Sequence, residues 1–279
     1  MNTNLSHKVA VITGAGGVIC SAMARSLAAM GVKTALLDIN SVAVEKLAED
    51  IESEFKVISV GVGANVLNKE SLQHAKEIIN SKLGSVDYLI NGAGGNSPLA
   101  TSSVEQMLDS DLENLDETFF GMKMEGFDKV FDLNFKGTLL PTMVFATDMI
   151  DKKEGSIVNV SSMNSYRPLT RIAAYSAAKA AINNFTQWLA VHFSKMGVRV
   201  NAIAPGFLLT NQNRFLLTDE ETGEPTPRGK KIIKNTPMER YGTPEELQGT
   251  LLYLLSDWSA FVTGVVIPVD GGFSAYSGV

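Results

Sequence analysis

Tyr175 and Lys179, separated by Ser176, Ala177 and Ala178, lie in a stretch of helical period over residues 172–195. Four residues apart on a helix, both side chains project from one face, a single turn from each other. A free phenol ionises near pH 10 and is a poor base at neutrality, but an ammonium beside it favours the phenolate. Tyr175 would then give and take protons under ordinary conditions. Thirteen residues before it, Ser162 follows the apolar run Ile157-Val158-Asn159-Val160, where its hydroxyl could hold a carbonyl oxygen while charge develops there. A serine nucleophile would need a base. His7, His74 and His192 stand at the N-terminus or in helical stretches, and no Gly-x-Ser-x-Gly elbow is present. On spacing alone the pair also reads as a half-buried aromatic beside a surface lysine. Asn134, inside a helical stretch where asparagine is disfavoured, also reads as an ordinary polar residue.

A second chemistry is written at the start of the chain. Val9-Ala10-Val11-Ile12-Thr13 has the pattern of a buried strand and runs into Gly14-Ala15-Gly16-Gly17, then into an alanine-rich helix through Met30. A strand feeding a glycine turn and a helix start brings unpaired N–H groups and the positive end of the helix dipole to one point, where a pyrophosphate fits. The second strand ends at Asp38, about 24 residues after Gly14, and its carboxylate can accept from ribose hydroxyls. No Arg or Lys follows either feature closely enough to receive a 2′-phosphate, so NAD is favoured over NADP. Asn91-Gly92-Ala93-Gly94-Gly95 repeats the glycine signal after the fourth strand, where small residues would let backbone approach a cofactor.

These residues must be held by alternating strands and helices. Candidate strands are Val9–Thr13, Lys33–Asp38, Val57–Val62, Tyr88–Asn91, Ser156–Val160, Val198–Ile203 and Val265–Val269. Most lack apolar/polar alternation, as strands buried on both faces do. Helical period marks residues 17–30, 41–53, 69–82, 127–150, 172–195 and 243–256. This is the βαβα pattern of a parallel sheet covered by helices on both faces, in a single domain over residues 1–279. Thr243-Pro244-Glu245-Glu246 is a capping sequence rather than a catalytic pair of acids. Two stretches break the alternation, residues 95–126 and 207–240, the latter with Pro225, Pro227 and Pro237. Both follow strands, where insertions shape a substrate pocket.

Composition narrows the class further. The chain has 279 residues, 45% hydrophobic, with Lys plus Arg 24 against Asp plus Glu 30 and a net charge of −6. A mildly acidic chain argues against a nucleic-acid partner. The single cysteine, Cys20, can form no internal disulfide and reads as a small residue facing the sheet. No apolar run reaches the ~20 residues of a membrane span, and the start is polar, so a cytoplasmic protein without membrane or metal is expected.

Taken together these elements resemble the short-chain dehydrogenases/reductases over nearly the whole length. Thr13-Gly14 opens the cofactor turn, Asn91-Gly92-Ala93-Gly94 matches Asn-x-Ala-Gly, and Tyr175 to Lys179 matches Tyr-x-x-x-Lys with Ser162 at the family spacing. Pro205-Gly206 with Thr210 resembles the segment contacting the nicotinamide end, and Asp270-Gly271-Gly272 the closing turn. The resemblance implies an α/β fold, a Rossmann-like, doubly wound, seven-stranded parallel sheet flanked by helices. It implies a tetrad of Asn134, Ser162, Tyr175 and Lys179, in which Lys179 also binds the nicotinamide ribose and Asn134 supports a water. The implied cofactor set is Gly14, Gly16, Gly17, Val18 and Ile19 in the first turn, then Asp38, Asn65, Val66, Asn91, Ala93, Gly94, Tyr175, Lys179, Pro205, Gly206 and Thr210. The chain departs from Thr-Gly-x-x-x-Gly-x-Gly by placing Val18 and Cys20 where the family has glycine.

Within the family, Gly-Gly-Val-Ile-Cys in the first turn and Ser-Ser-Met-Asn-Ser-Tyr-Arg-Pro-Leu-Thr-Arg before Tyr175 resemble the subgroup of D-mannonate oxidoreductases, or fructuronate reductases. Arg167, Arg171 and Arg214 could clamp a carboxylate, each also open to a structural ion pair or subunit contact, and Asn96, Ser97, Asn164 and Gln212 could bond sugar hydroxyls. The expected function is NAD-dependent interconversion of D-mannonate and D-fructuronate, with Tyr175 as general acid and base. Gluconate 5-dehydrogenation or another polyol or aldonate oxidation is the alternative, and a non-catalytic dinucleotide-binding sensor a more distant one. Family resemblance also implies a homotetramer.

Overall fold

The computed structural model describes residues 5–210, 214–219 and 222–278. Among them, seven strands make one sheet: β1 (Val9–Thr13), β2 (Lys33–Asp38), β3 (Ser59–Gly63), β4 (Tyr88–Asn91), β5 (Gly155–Val160), β6 (Val198–Pro205) and β7 (Val266–Val269). Every neighbouring pair is parallel, in the order β3-β2-β1-β4-β5-β6-β7. The order reverses between β1 and β4, which opens a crevice beyond their carboxyl ends. Helices cover both faces: α1 (Val18–Ala29), α2 (Ser41–Phe55), α3 (Lys69–Lys82), α4 (Met124–Phe131), α5 (Gly137–Lys152), α6 (Ala173–Phe193), α7 (Arg214–Leu217), α8 (Pro227–Lys234) and α9 (Gln248–Leu255).

The continuous apolar runs have the cause expected of them. All five residues of β1 are buried, because alternate side chains enter two different cores. Ile12, Leu36, Ile90, Val158 and Ile203 pack with Met23, Leu27, Ile51 and Leu251 on one face. Val11, Leu37, Leu89, Ile157 and Val200 pack with Leu72, Ile79, Phe145 and Leu189 on the other. Each such fully buried side chain contributes about 1.5–3 kcal/mol.

The stretch expected as one helix over 127–150 is instead α4 and α5 joined by a wider, π-type turn over Asp132–Lys136. At this turn the carbonyls of Val130 and Asn134 accept from the side chains of Asn134 (2.8 Å) and Thr138 (2.9 Å). The capping sequence does close a first turn, since the Glu246 carboxylate accepts from the Thr243 N–H at 2.9 Å, but that turn is a 3₁₀ turn over Pro244–Leu247. Residues 95–126 form short 3₁₀ turns at Pro98–Ala100, Asp109–Glu113, Leu115–Glu117 and Phe119–Gly121 before entering α4. No helix among the described residues is long and apolar enough to cross a membrane.

Candidate active site

The crevice between the carboxyl ends of β1 and β4 is a cleft of about 710 Å³, lined by Gly14, Gly17, Val18 and Ile19 at one side and by Gly92, Ala93 and Gly94 at the other. Gly14 has φ +67°, and a Cβ there would stand 2.8 Å from the Ala93 Cα. Only glycine lets the two turns close up in this way. No side chain caps the start of α1 at Gly17, so its first N–H groups remain for an anion.

Asp38 lies on the wall of the same cleft, its two oxygens accepting from the N–H groups of Gly16 (3.1 Å) and Asn40 (3.0 Å). Those bonds fix the carboxylate and leave it further lone pairs. Ala64, Asn65, Val66 and Leu67 continue the lining, although the Asn65 side-chain oxygen already accepts from the Leu67 N–H at 2.9 Å. Gly206 and Thr210 line the opposite end with Phe207 and Leu208. A long groove with a glycine floor, an uncapped helix start and a fixed carboxylate fits an extended dinucleotide.

Five expected cofactor residues, Gly16, Asn91, Tyr175, Lys179 and Pro205, are not part of the lining of this groove, and two of them turn away from it. The Asn91 side chain turns into the interior, donating to Thr142 (3.0 Å) and to Asn159 (2.9 Å), which in turn donates to Thr186. It ties β4 to α5, β5 and α6. Pro205 ends β6 in register with Val269 and is buried, so Gly206 alone of that pair reaches the cleft. Conversely, Ile39, Leu133, Phe207 and Leu208 line the groove without having been singled out. Their positions directly beside Asp38, Asn134 and Gly206 were the available signal.

Gly94 joins the groove to the reacting groups, because a Cβ on it would lie 2.6 Å from the Asn134 Oδ1 and 3.2 Å from the Lys179 Nζ. The wide turn between α4 and α5 delivers Asn134, fully buried, whose Nδ2 donates to the Gly95 carbonyl at 2.7 Å. From β5 comes Ser162, whose Oγ accepts from the Asn164 N–H at 3.2 Å and whose hydroxyl is hydrogen-bonded with Tyr175. Helix α6 supplies Tyr175 and Lys179. The four expected catalytic residues therefore converge.

Their electrostatics differ from expectation. Burial raises the Tyr175 phenol above its ordinary value, and the Ser162 hydrogen bond only partly opposes this. Burial also brings Lys179 down to about 8. The Lys179 Nζ donates to the Val160 carbonyl at 2.8 Å and lies 5.5 Å from the Tyr175 ring centroid. At the phenol, desolvation outweighs the Ser162 hydrogen bond. Cys20 packs beneath Gly92, with its thiol pushed up to about 12 by burial, the inert state of a structural cysteine.

None of the expected substrate residues that the structure describes lines the cleft. Asn96 is exposed and donates to Thr101 at 3.0 Å, while Ser97 is buried. Asn164 is buried with its side-chain oxygen unpartnered. Arg167 and Arg171 are exposed, their Nε groups donating to the carbonyls of Ser274 (3.1 Å) and Ser102 (2.7 Å). Arg214 is exposed at the start of α7, and Gln212 lies outside the described residues. The C-terminal segment seats the loop after β5: besides Ser274, the Val266 carbonyl accepts from the Tyr166 hydroxyl at 2.9 Å. Among the described residues no group of His, Cys, Asp and Glu is arranged to hold a metal.

Comparison with known proteins gives the same picture. A family model described as enoyl-(acyl carrier protein) reductase matches residues 14–274. The chain is 53% identical over 279 residues to an uncharacterized oxidoreductase of Haemophilus influenzae, covering 100% of this chain and 97% of that protein. It is 49% identical over 280 residues to an uncharacterized oxidoreductase, UxuB, of Bacillus subtilis, covering 100% and 99%. A crystal structure of a Haemophilus protein provisionally named D-mannonate oxidoreductase, with bound NAD, superposes with a TM-score of 0.93 at 53% identity over 99% of this chain and 98% of that one. A fold whose crevice, helix-borne tyrosine and lysine and near-full-length matches all agree leaves one conclusion: the chain belongs to the short-chain dehydrogenase/reductase family of alcohol/ketone oxidoreductases.

Proposed function

We propose that this protein is an NAD-dependent sugar-acid oxidoreductase interconverting D-mannonate and D-fructuronate. The observation that carries the reaction type is the convergence of Ser162, Tyr175 and Lys179 behind Gly94 at the end of the cleft. The substrate reading is supported by the likeness to the provisionally named Haemophilus protein and by Arg167 and Arg171 in the segment that leads into α6 and Tyr175. Asp38, in a turn without a neighbouring cation, supports NAD over NADP because a 2′-phosphate would meet a carboxylate.

Gly14, Gly17, Val18 and Ile19 would hold the pyrophosphate, Asp38 the adenosine ribose, and Lys179 the nicotinamide ribose. The bound cofactor supplies a hydride donor or acceptor at the substrate carbon. In ketone reduction the Tyr175 hydroxyl gives its proton to the substrate oxygen, and in alcohol oxidation the phenolate takes the hydroxyl proton back. Ser162 fixes that oxygen, its own oxygen being steadied by the Asn164 N–H. Asn134 and Gly94 hold the Lys179 end of the arrangement. In the same reading the protein is a cytoplasmic homotetramer. A half-exposed β7 and the exposed Trp188 and Val191 on α6 support a subunit contact.

The test is NADH consumption with D-fructuronate, followed by absorbance, for wild type and Tyr175→Phe. Turnover by wild type and a loss of about 10²–10⁴-fold in the variant is expected, with NADH affinity retained. Turnover undiminished in the variant would defeat the mechanism. Tight NADH binding without turnover of any sugar acid, gluconate included, would favour the sensor reading.

A further inference from the structure

The excursion over residues 95–126 packs beside Tyr175 at one point and is tied by charge to α8 at another. Ala100 packs with Ala174, Ala178 and Tyr175. Two residues on, Ser102 is locked to Arg171 by a pair of bonds: the Ser102 N–H donates to the Arg171 carbonyl at 2.9 Å, and the Arg171 Nε donates to the Ser102 carbonyl at 2.7 Å. The root of this guanidinium is thus fixed just before α6, while the other four donors of the fork lie outside that bond. Glu105, on the same excursion, is ion-paired with Lys231 of α8 and also feels the charges of Arg171 and Arg228.

One exposed carboxylate is therefore paired with one cation and lies in the field of two more, from two other segments. Elsewhere partners are shared in both senses: Arg25 serves both Asp50 and Glu54, while Asp87 is served by both Lys8 and Lys152. In a chain of net charge −6, the three cations near Glu105 are a local excess of positive charge. A solvent-exposed ion pair is worth only about 0–1 kcal/mol, so Glu105 is an occupant that an incoming carboxylate can replace.

We infer that Arg171, Arg228 and Lys231 form the recognition site for the substrate carboxylate and that Glu105 is its internal occupant, displaced when the substrate binds. This rests on the sugar-acid reading above. Arginine supplies planar, bidentate recognition and Lys231 a point charge. The site also accounts for the two long insertions, since one carries the occupant and the other two of the cations.

The test compares wild type with Glu105→Gln, Lys231→Met, Arg228→Met and Lys231→Arg. Glu105→Gln is expected to lower KM for D-fructuronate about threefold or more with kcat nearly unchanged, while Lys231→Met and Arg228→Met raise it about tenfold. Lys231→Arg restores the wild-type value, and none of the variants shifts KM for NADH. Calorimetric titration of the NADH-saturated protein with tartrate, which needs no turnover, should rank the variants in the same order. A Glu105→Gln KM that rises or stays constant overturns the site, as does a Lys231→Met that weakens tartrate and NADH alike. Absence of turnover with every sugar acid, together with the expected tartrate order, would remove the sugar-acid assignment and leave the anion site standing.

Discussion

Tyr175 keeps its proton at neutral pH. With the phenol raised above 10 by burial, the phenolate fraction at pH 7 is below about one in a thousand, so the resting side chain is a general acid suited to ketone reduction. Oxidation needs the base form and should accelerate as pH rises from 7 toward 10. Ultraviolet difference titration of cofactor-free wild type against Tyr175→Phe should show the extra phenolate appearing only above pH 10; its appearance near 8 would refute the burial argument. Spacing in the sequence identified the pair but not which effect dominates, because neither enclosure nor the Val160 carbonyl is encoded in a four-residue interval. Cys20 is a second residue-scale lesson. A Cβ on Gly92 would lie 2.1 Å from its Sγ, so the family's missing glycine at 20 is answered by a glycine at 92. Gly92→Ala should cost about 1–3 kcal/mol in urea unfolding, and Cys20→Gly should return part of it, with a coupling of about 1 kcal/mol. Simple additivity would contradict the contact.

Among the elements, β1, β2 and β4 agree with their expected limits because strands buried on both faces announce themselves as unbroken apolar runs. The break between α4 and α5 had no such signal, since one wide turn barely disturbs helical period. Its purpose is visible only in three dimensions: it carries Asn134 toward Gly94 and Gly95. A π-type turn contains about one residue more than the regular helix. Deleting Leu133, which also lines the groove, should therefore let α4 and α5 run together, giving a protein that unfolds cooperatively but binds NADH more weakly and loses turnover. Loss of all cooperative unfolding would show that the turn supports folding as well. The inward direction of Asn91 was equally hidden, for its motif marks the turn but not the side of the sheet its amide takes.

At the scale of the molecule, apolar surface remains open on α6, with Trp188 57% and Val191 78% exposed, as it does at Phe119, Phe120 and Phe261. Trp188→Glu with Val191→Lys should lower the solution mass measured by light scattering, if four subunits assemble through this helix; an unchanged mass would place the contact elsewhere. The two halves of the site also differ in when they can form. The dinucleotide groove closes only when Gly206, Phe207, Leu208 and Thr210 follow β6, and the loop bearing Arg167 waits on the carbonyls of Val266 and Ser274. A chain cut before Val266 would hold the lining of the groove yet leave the loop before Tyr175 unseated, so β7 and the segment to Ser274 serve the reacting end of the site rather than its coenzyme end.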